Sequence, residues 1–229
     1  MKKTALIRTA ILFVSLLSLS SCSNDDGPSY GTTTGDYLPL AVNNSWKYFN
    51  ESQGFLSEVK ITGTESIGGN TYYEFTDSTM QPFTVTQWFG KKGATYFMKV
   101  DDTTINESGI TITFKSYELP ILKDDFDVNK TWTGSVSPKV TYSGNGTSGT
   151  LPFKINYTGV NYFKGEITLD GTTYPNVIKT KLDVSINANN QITTASEEYW
   201  YAENIGIINF ISDDGTTIEE RTIDSYILN

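Results

Sequence analysis

Tyr174-Pro175-Asn176-Val177-Ile178-Lys179-Thr180-Lys181-Leu182-Asp183-Val184-Ser185-Ile186 is the stretch whose reading decides the fold. Tyr174, Ile178, Leu182, Val184 and Ile186 are expected on one face of an extended chain, and Lys179, Lys181, Asp183 and Ser185 on the other. That period of two is the mark of a strand with one face wet. Asp170-Gly171 before it and Asn189-Asn190 after it are hairpin signals, so the neighbouring strands run antiparallel to it.

The same pattern extends outward in both directions. Val59, Ile61 and Ile67 alternate with Lys60, Thr62, Thr64 and Ser66, and Gly68-Gly69-Asn70 turns the chain into Thr71 to Asp77. Ile110, Ile112 and Phe114 alternate with Thr111, Thr113 and Lys115; Phe153, Ile155 and Tyr157 alternate with Lys154, Asn156 and Thr158. No stretch after residue 22 keeps a period of 3.6 over ten residues. The expectation is an all-β chain, an antiparallel meander of about twelve strands forming a curved sheet, barrel or sandwich.

Laid against itself, the chain repeats. Val42-Asn43-Asn44-Ser45-Trp46 recurs as Val128-Asn129-Lys130-Thr131-Trp132, and Gly69-Asn70-Thr71-Tyr72 as Gly171-Thr172-Thr173-Tyr174. Trp88-Phe89 recurs as Trp200-Tyr201. Asp101-Asp102-Thr103-Thr104-Ile105 recurs as Asp213-Asp214-Gly215-Thr216-Thr217-Ile218, and Ser116-Tyr117-Glu118-Leu119 as Ser225-Tyr226-Ile227-Leu228. Five recurrences in one order predict two related halves, about 37–119 and 120–228, within one domain spanning 37–229.

The first 21 residues are of another kind. Lys2, Lys3 and Arg8 precede an apolar run from Ala10 to Leu19, the layout of a secretory signal peptide. The run is too short for a spanning helix, which needs roughly 20 apolar residues. It ends in Leu19-Ser20-Ser21-Cys22, which resembles the lipobox of bacterial lipoproteins. The resemblance implies cleavage before Cys22 and lipid attachment at Cys22, including a palmitate-type acyl chain on the new amine. Several acyl chains hold a protein lastingly where one does not. The alternative is a secreted protein with one free thiol.

Behind Cys22, Ser23-Asn24-Asp25-Asp26-Gly27 resembles the short acidic run that sends lipoproteins of some Gram-negative groups to the outer face of the outer membrane. From Cys22 to Asp36 the composition is that of a flexible tether. Tyr37-Leu38-Pro39-Leu40-Ala41-Val42-Asn43-Asn44-Ser45-Trp46-Lys47-Tyr48 then resembles the opening of β-rich lipoprotein domains of unknown function, Pro-Leu-x-Val-Gly-x-Ser/Thr-Trp-x-Tyr. Their aromatic-rich closing strand is matched by Tyr199-Trp200-Tyr201-Ala202-Glu203-Asn204-Ile205-Gly206. Asn43 stands where that pattern has Gly. The resemblance implies an antiparallel β-fold and brings no catalytic residue.

Composition narrows the chemistry. Removing Lys2, Lys3 and Arg8 from the 17 basic residues leaves 14 against 26 acidic ones, a net charge of −12 after the leader, which repels nucleic acid and anionic lipid. With no histidine and only Cys22, no Ser-His-Asp triad, Cys-His pair or ordinary zinc or copper site can form.

Two motif matches do not carry function. Gly144-Asn145-Gly146-Thr147-Ser148-Gly149 spells a dinucleotide fingerprint, but that motif works only where it opens a helix, and here it is expected to be a hairpin loop. Asp125-x-Asp127-x-Asn129 begins like a calcium loop, yet Lys130 and Val136 occupy the positions for its glycine and glutamate. With Asp124, these residues are expected to form a turn before the Trp132 strand.

The 4 Trp, 14 Tyr and 12 Phe can build a core, a stacking platform or an apolar pocket. In Trp88-Phe89 and Tyr199-Trp200-Tyr201, neighbours point to opposite faces, so one aromatic of each set is expected to meet solvent, a partner or a ligand. The leading expectation is a non-catalytic, surface-anchored binding or interaction module for a glycan or an apolar ligand, without metal or cofactor. A carboxylate-dependent extracellular hydrolase and a structural envelope lipoprotein are the alternatives. An enclosed aromatic cavity favours the first, and a cleft with two carboxylates about 5 to 9 Å apart the second.

Overall fold

The computed structural model describes residues 29–50, 54–78 and 87–229; the leader, Cys22 and the acidic run behind it lie outside the described residues. Among those described there is no helix. A first meander comprises β1 (Ser45–Asn50), β2 (Phe55–Ile67), β3 (Asn70–Asp77), β4 (Gln87–Lys92) and β5 (Thr95–Val100). A hairpin of β6 (Thr103–Glu107) and β7 (Ile110–Phe114) follows, and then the sixth strand, β8 (Tyr117–Lys123). The second meander begins with β9 (Thr131–Val136), which is followed by a hairpin of β10 (Val140–Gly144) and β11 (Thr147–Leu151). It continues through β12 (Phe153–Leu169), β13 (Thr172–Ala188), β14 (Gln191–Ala202), β15 (Gly206–Asp213) and β16 (Ile218–Ile227).

Twelve of these strands form one antiparallel sheet in the order β8-β5-β4-β3-β2-β1-β16-β15-β14-β13-β12-β9, which is nearly closed and barrel-like. The two inserted hairpins pair with each other as a separate four-stranded sheet, β11-β10-β7-β6. Periodicity counted about twelve strands; the described residues hold sixteen, twelve in the main sheet and four in the insertions, among them the Ile110–Phe114 strand read from its alternation. β1 and β16 join the two meanders through a full ladder. At the other junction β8 and β9 share no ladder. Pro120, which has no N–H to give, sits in β8, as suits a proline at a sheet edge. Single bonds bridge this seam: the Trp132 indole N–H donates to Pro120 O at 3.3 Å, and the Asn161 amide donates to Lys123 O at 2.7 Å.

Each recurrent motif falls on the strand of equal rank in its meander. Trp46 and Trp132 are second residues of β1 and β9, and Asn43 and Asn129, three residues earlier, both have positive φ, 74° and 67°. Tyr72 and Tyr174 are third residues of β3 and β13. Trp88 and Trp200 lie on the fourth strands, and the Asp-rich motifs follow the fifth. Ser116 and Ser225 mark the sixth strands, at opposite ends.

Turn chemistry explains the pairing. Gly68-Gly69, Ser108-Gly109, Asn145-Gly146, Asp170-Gly171 and Asn189-Asn190 are two-residue loops with both residues at positive φ. That backbone matches the twist of the flanking strands and suits Gly, Asn and Asp. The Gly144–Gly149 stretch accordingly forms a hairpin turn rather than a phosphate cradle.

Bulges revise the alternation read from sequence. One between Ile61 and Gly63 reverses the faces of β2, so that Thr64 pairs with the inward Tyr73 and Ile67 falls on the outer face, away from Val59 and Ile61. An extra residue in β13, between Tyr174 and Val177, turns Tyr174 outward, away from Ile178, Leu182 and Val184. A bulge inserts one residue without a partner, and every side chain beyond it changes face.

Inside the barrel, Tyr37, Leu38, Phe89, Tyr96, Ile121, Leu122, Ile178, Leu182, Tyr199 and Tyr201 form the main core. A smaller cluster of Tyr174, Val177, Ala202 and Ile208, with Trp200 against it, lies on the outer face of the second meander. Large rings sit over glycines on paired strands: Tyr72 over Gly90, Trp132 over Gly159 and Tyr157 over Gly134. An aromatic covering a glycine's bare backbone lets the sheet curve without leaving a void. The exposed positions of the outer face carry Lys47, Glu58, Lys60, Lys154 and Asp183 beside apolar residues such as Phe49 and Leu56.

Candidate functional site

Strand direction alternates, so the barrel has two distinct ends. At one lie the turns after β2, β4, β12 and β14 together with the segment that leads into β1; at the other lie the turns after β13 and β15 and the four-stranded sheet.

The first end is plugged by the chain's own start. Residues 30–36, which composition assigns to a tether over 22–36, are docked on it. Tyr30 packs edge-on against Phe97 at 5.6 Å and its carbonyl accepts Ala94 N at 2.8 Å. Tyr96 Oη donates to Gly35 O and accepts Tyr37 N and Lys91 Nζ, all within 3.1 Å. The Asp124 carboxylate, fully buried, accepts the Thr33 hydroxyl at 2.6 Å and Thr34 N at 2.9 Å. Leu38, 2% exposed, then enters the barrel as the floor of a cavity.

That cavity has a volume of about 200 Å³. Its wall is aromatic. Trp46 stacks on Phe75 at 5.9 Å and 10°, Phe75 meets Phe89 at 4.3 Å, and Tyr199 meets Phe210 at 5.0 Å. Tyr48 also faces it and donates its hydroxyl to Ile207 O at 2.9 Å. These residues converge because Trp46 and Tyr48 alternate inward on β1, Phe75 on β3, Phe89 on β4 and Tyr199 on β14; β2 separates β1 from β3, β3 pairs with β4, and β16 and β15 separate β1 from β14.

Polar groups line the cavity toward the other end: Asp77 and Gln87 at the ends of β3 and β4, Glu197 on β14 and Arg221 on β16. Arg221 Nη1 donates to Asp77 at 2.6 Å and Nε to Glu219 at 2.7 Å. Burial pushes the Arg221 guanidinium down, but the bonds to Glu219 and Asp77 outweigh it and the net shift is upward. Glu197 Oε2 accepts the Tyr199 hydroxyl at 2.5 Å. Desolvation raises the Glu197 carboxyl above the usual range, and the Tyr199 bond offsets only part of that rise. Among the described residues no lysine lines the cavity.

Of the outward aromatics, expected to meet solvent, a partner or a ligand, Trp88 is nearly buried and Trp200 half-buried. Trp88 is 9% exposed and donates its indole N–H to Asp101 at 2.6 Å, and Lys99 bonds the same carboxylate. Trp200 is covered by Lys179, whose Nζ lies 3.3 Å from the ring centroid. Their inward neighbours Phe89, Tyr199 and Tyr201 belong to the core. The Asp124–Asn129 stretch forms the turn between β8 and β9, where Lys130 N bonds Asp127 O at 3.1 Å. Among the described residues no group of three metal-ligating side chains gathers.

Trp46 and Tyr48, which the sequence marks only as part of its recurrent opening motif, wall the cavity, whereas Glu197, Asp77 and Arg221 were not singled out. One signal was available for Arg221, which is the chain's sole arginine beyond Arg8. Cys22, the expected lipid-attachment residue, lies outside the described residues.

The fold and site define a nearly closed antiparallel β-barrel, plugged at one end, with a small aromatic cavity rimmed by charge. No protein-family model matches the sequence, and comparison with curated proteins gives no significant relative. Among solved structures it is similar to a candidate lipoprotein of Parabacteroides distasonis, at 11% identity over 84% of this chain and 99% of that one, with a TM-score of 0.47. It is also similar to a candidate exported protein with a YmcC-like fold from Bacteroides fragilis, at 9% identity over 85% and 100%, with a TM-score of 0.44. At these scores neither likeness assigns a residue or an activity to this chain.

Proposed function

We propose that this protein is a lipoprotein, anchored through Cys22 in the outer membrane and facing outward, whose barrel binds a small amphiphilic molecule without transforming it. The observation that carries the reading is the aromatic cavity bounded by Leu38, Trp46 and Phe75, with Glu197 and Arg221 at its polar side. The lipobox-like Leu19-Ser20-Ser21-Cys22 supports the anchor. Tyr30 is docked only eight residues after Cys22, a span of at most about 29 Å when extended. An anchored barrel therefore keeps its plugged end toward the membrane and its four-stranded sheet away from it. Equal ranks of the recurrent motifs support reading the two meanders as copies of one unit.

A volume of about 200 Å³ is below the roughly 300–1,000 Å³ of ordinary ligand pockets, so a small molecule or one end of a larger one fits, and a polymer chain does not. The hydrolase alternative draws on Asp77 and Glu197 lining one cavity. Against it, Asp77 is engaged by Arg221 and Glu197 by Tyr199, which leaves neither placed to activate water. The test is to titrate the soluble chain from residue 29 with short amphiphiles and with oligosaccharides, reading Trp fluorescence and product release. Saturable quenching that is lost in Trp46→Phe supports the reading. Turnover abolished by Asp77→Asn or Glu197→Gln overturns it for the hydrolase, and no response to any compound favours the purely structural alternative.

A further inference from the structure

The charge around the cavity narrows the class of ligand, an argument that rests on the cavity being the binding site. Among the described residues one guanidinium, Arg221, is bracketed by Asp77 and Glu219 at 2.6 and 2.7 Å. Its positive charge is thus spent on two carboxylates, and the trio keeps a net charge of −1. Glu197 joins Asp77 as a second acid lining the cavity itself. An incoming anion finds no uncommitted cation there and meets carboxylates in a poorly hydrated site, where like charges repel most strongly.

An ammonium group meets the opposite conditions. The Tyr199 ring, beside Glu197, offers a π-face, which attracts cations, and more so when water is excluded. The cavity's carboxylates complete the field. We infer that the barrel cavity takes a cationic amphiphile, an alkyl or aryl amine whose apolar part lies among Trp46, Phe75 and Phe89 and whose ammonium lies toward Glu197 and the Asp77–Arg221 pair.

Glu197 responds to the charge of what binds beside it. Its carboxyl is raised by desolvation, and an ammonium beside it favours the ionised form, so a bound amine lowers it again.

Three probes sharing one eight-carbon chain separate the possibilities: octylammonium, 1-octanol and octanoate, titrated at pH 7.5 by calorimetry and by Trp fluorescence. The expected order is octylammonium tightest, octanol next, and octanoate at least ten-fold weaker than octylammonium. In Glu197→Gln, octylammonium weakens by several-fold while octanol is unchanged. Octanoate binding as tightly as octylammonium overturns the inference while leaving the cavity as a binding site. Failure of all three probes, in a protein whose thermal unfolding shows it folded, overturns the binding reading itself and this inference with it.

Discussion

The Thr33 hydroxyl donates to the buried Asp124 carboxylate at 2.6 Å across 91 residues of chain, and in doing so ties the protein's start to the turn between its two meanders. Asp124 also accepts Thr34 N at 2.9 Å, and Lys91 Nζ stands 3.7 Å away. Replacing Asp124 by alanine removes a buried acceptor shared by two donors, the Thr33 hydroxyl and Thr34 N. The expected cost is about 2–3 kcal/mol, measured by urea unfolding, with new proteolytic cleavage around residues 30–36. A variant as stable and as protease-resistant as wild type would show that the latch does nothing.

Trp132 lies over Gly159, and a Cβ there would stand 2.1 Å from the indole ring. The neighbour is a bulky ring wedged beside Phe126 at 5.9 Å, so it has little room to yield. Gly159→Val is expected to destabilise by about 1–3 kcal/mol. Gly63→Ala is the control, since its Cβ would meet only the flexible end of Glu74 at 3.3 Å, and it should cost less. Equal effects of the two would sink the argument from ring packing.

Trp46 is 1% exposed and Trp132 is 6% exposed. Truncation of either to alanine is expected to cost about 3–5 kcal/mol. Trp46→Ala additionally enlarges the ligand cavity, whereas Trp132→Ala opens the seam between β8 and β9. Probe binding should therefore change in the first variant and persist in the second, if measured where both remain folded.

Glu197 has a folded pKa above its unfolded value because burial disfavours its charge. Between those two values the unfolded chain holds fewer protons than the folded one, so stability falls as pH rises through that window. Glu197→Gln removes this loss while keeping an acceptor for Tyr199. Its Tm should exceed that of wild type at pH 7.5, and the advantage should vanish near pH 4. An advantage independent of pH would point to packing rather than to the buried charge.

Labelled palmitate is expected to enter the wild-type protein in cells and not Cys22→Ala. Protease added to whole cells is expected to remove the barrel, as an outward-facing domain requires. Equal labelling of both proteins would falsify the anchor, and full protection in intact but not lysed cells would reverse the orientation.

What the sequence determined by itself was everything carried by local pattern. The alternation around Leu182 and Val184 demanded a one-face-wet sheet, the Asp170-Gly171 and Asn189-Asn190 dipeptides demanded tight antiparallel hairpins, and the ordered recurrences marked strands of equal rank. Each depends on neighbours within a few residues, or on a comparison of one stretch with another. The faces of Ile67 and Tyr174 were not legible because a bulge is a feature of the pairing between two strands, and a single strand's spacing does not record it. The tether over 22–36 read as flexible since Ser, Gly and Thr bury little on their own; the partner that holds them, Asp124, lies 91 residues from Thr33 and is buried only once β8 is in place. The cavity belongs wholly to the tertiary structure. Trp46, Phe75, Glu197 and Arg221 are scattered over four strands, and closure of the sheet through the β1–β16 ladder brings them to one desolvated space, where their charges and rings acquire the properties a ligand would meet.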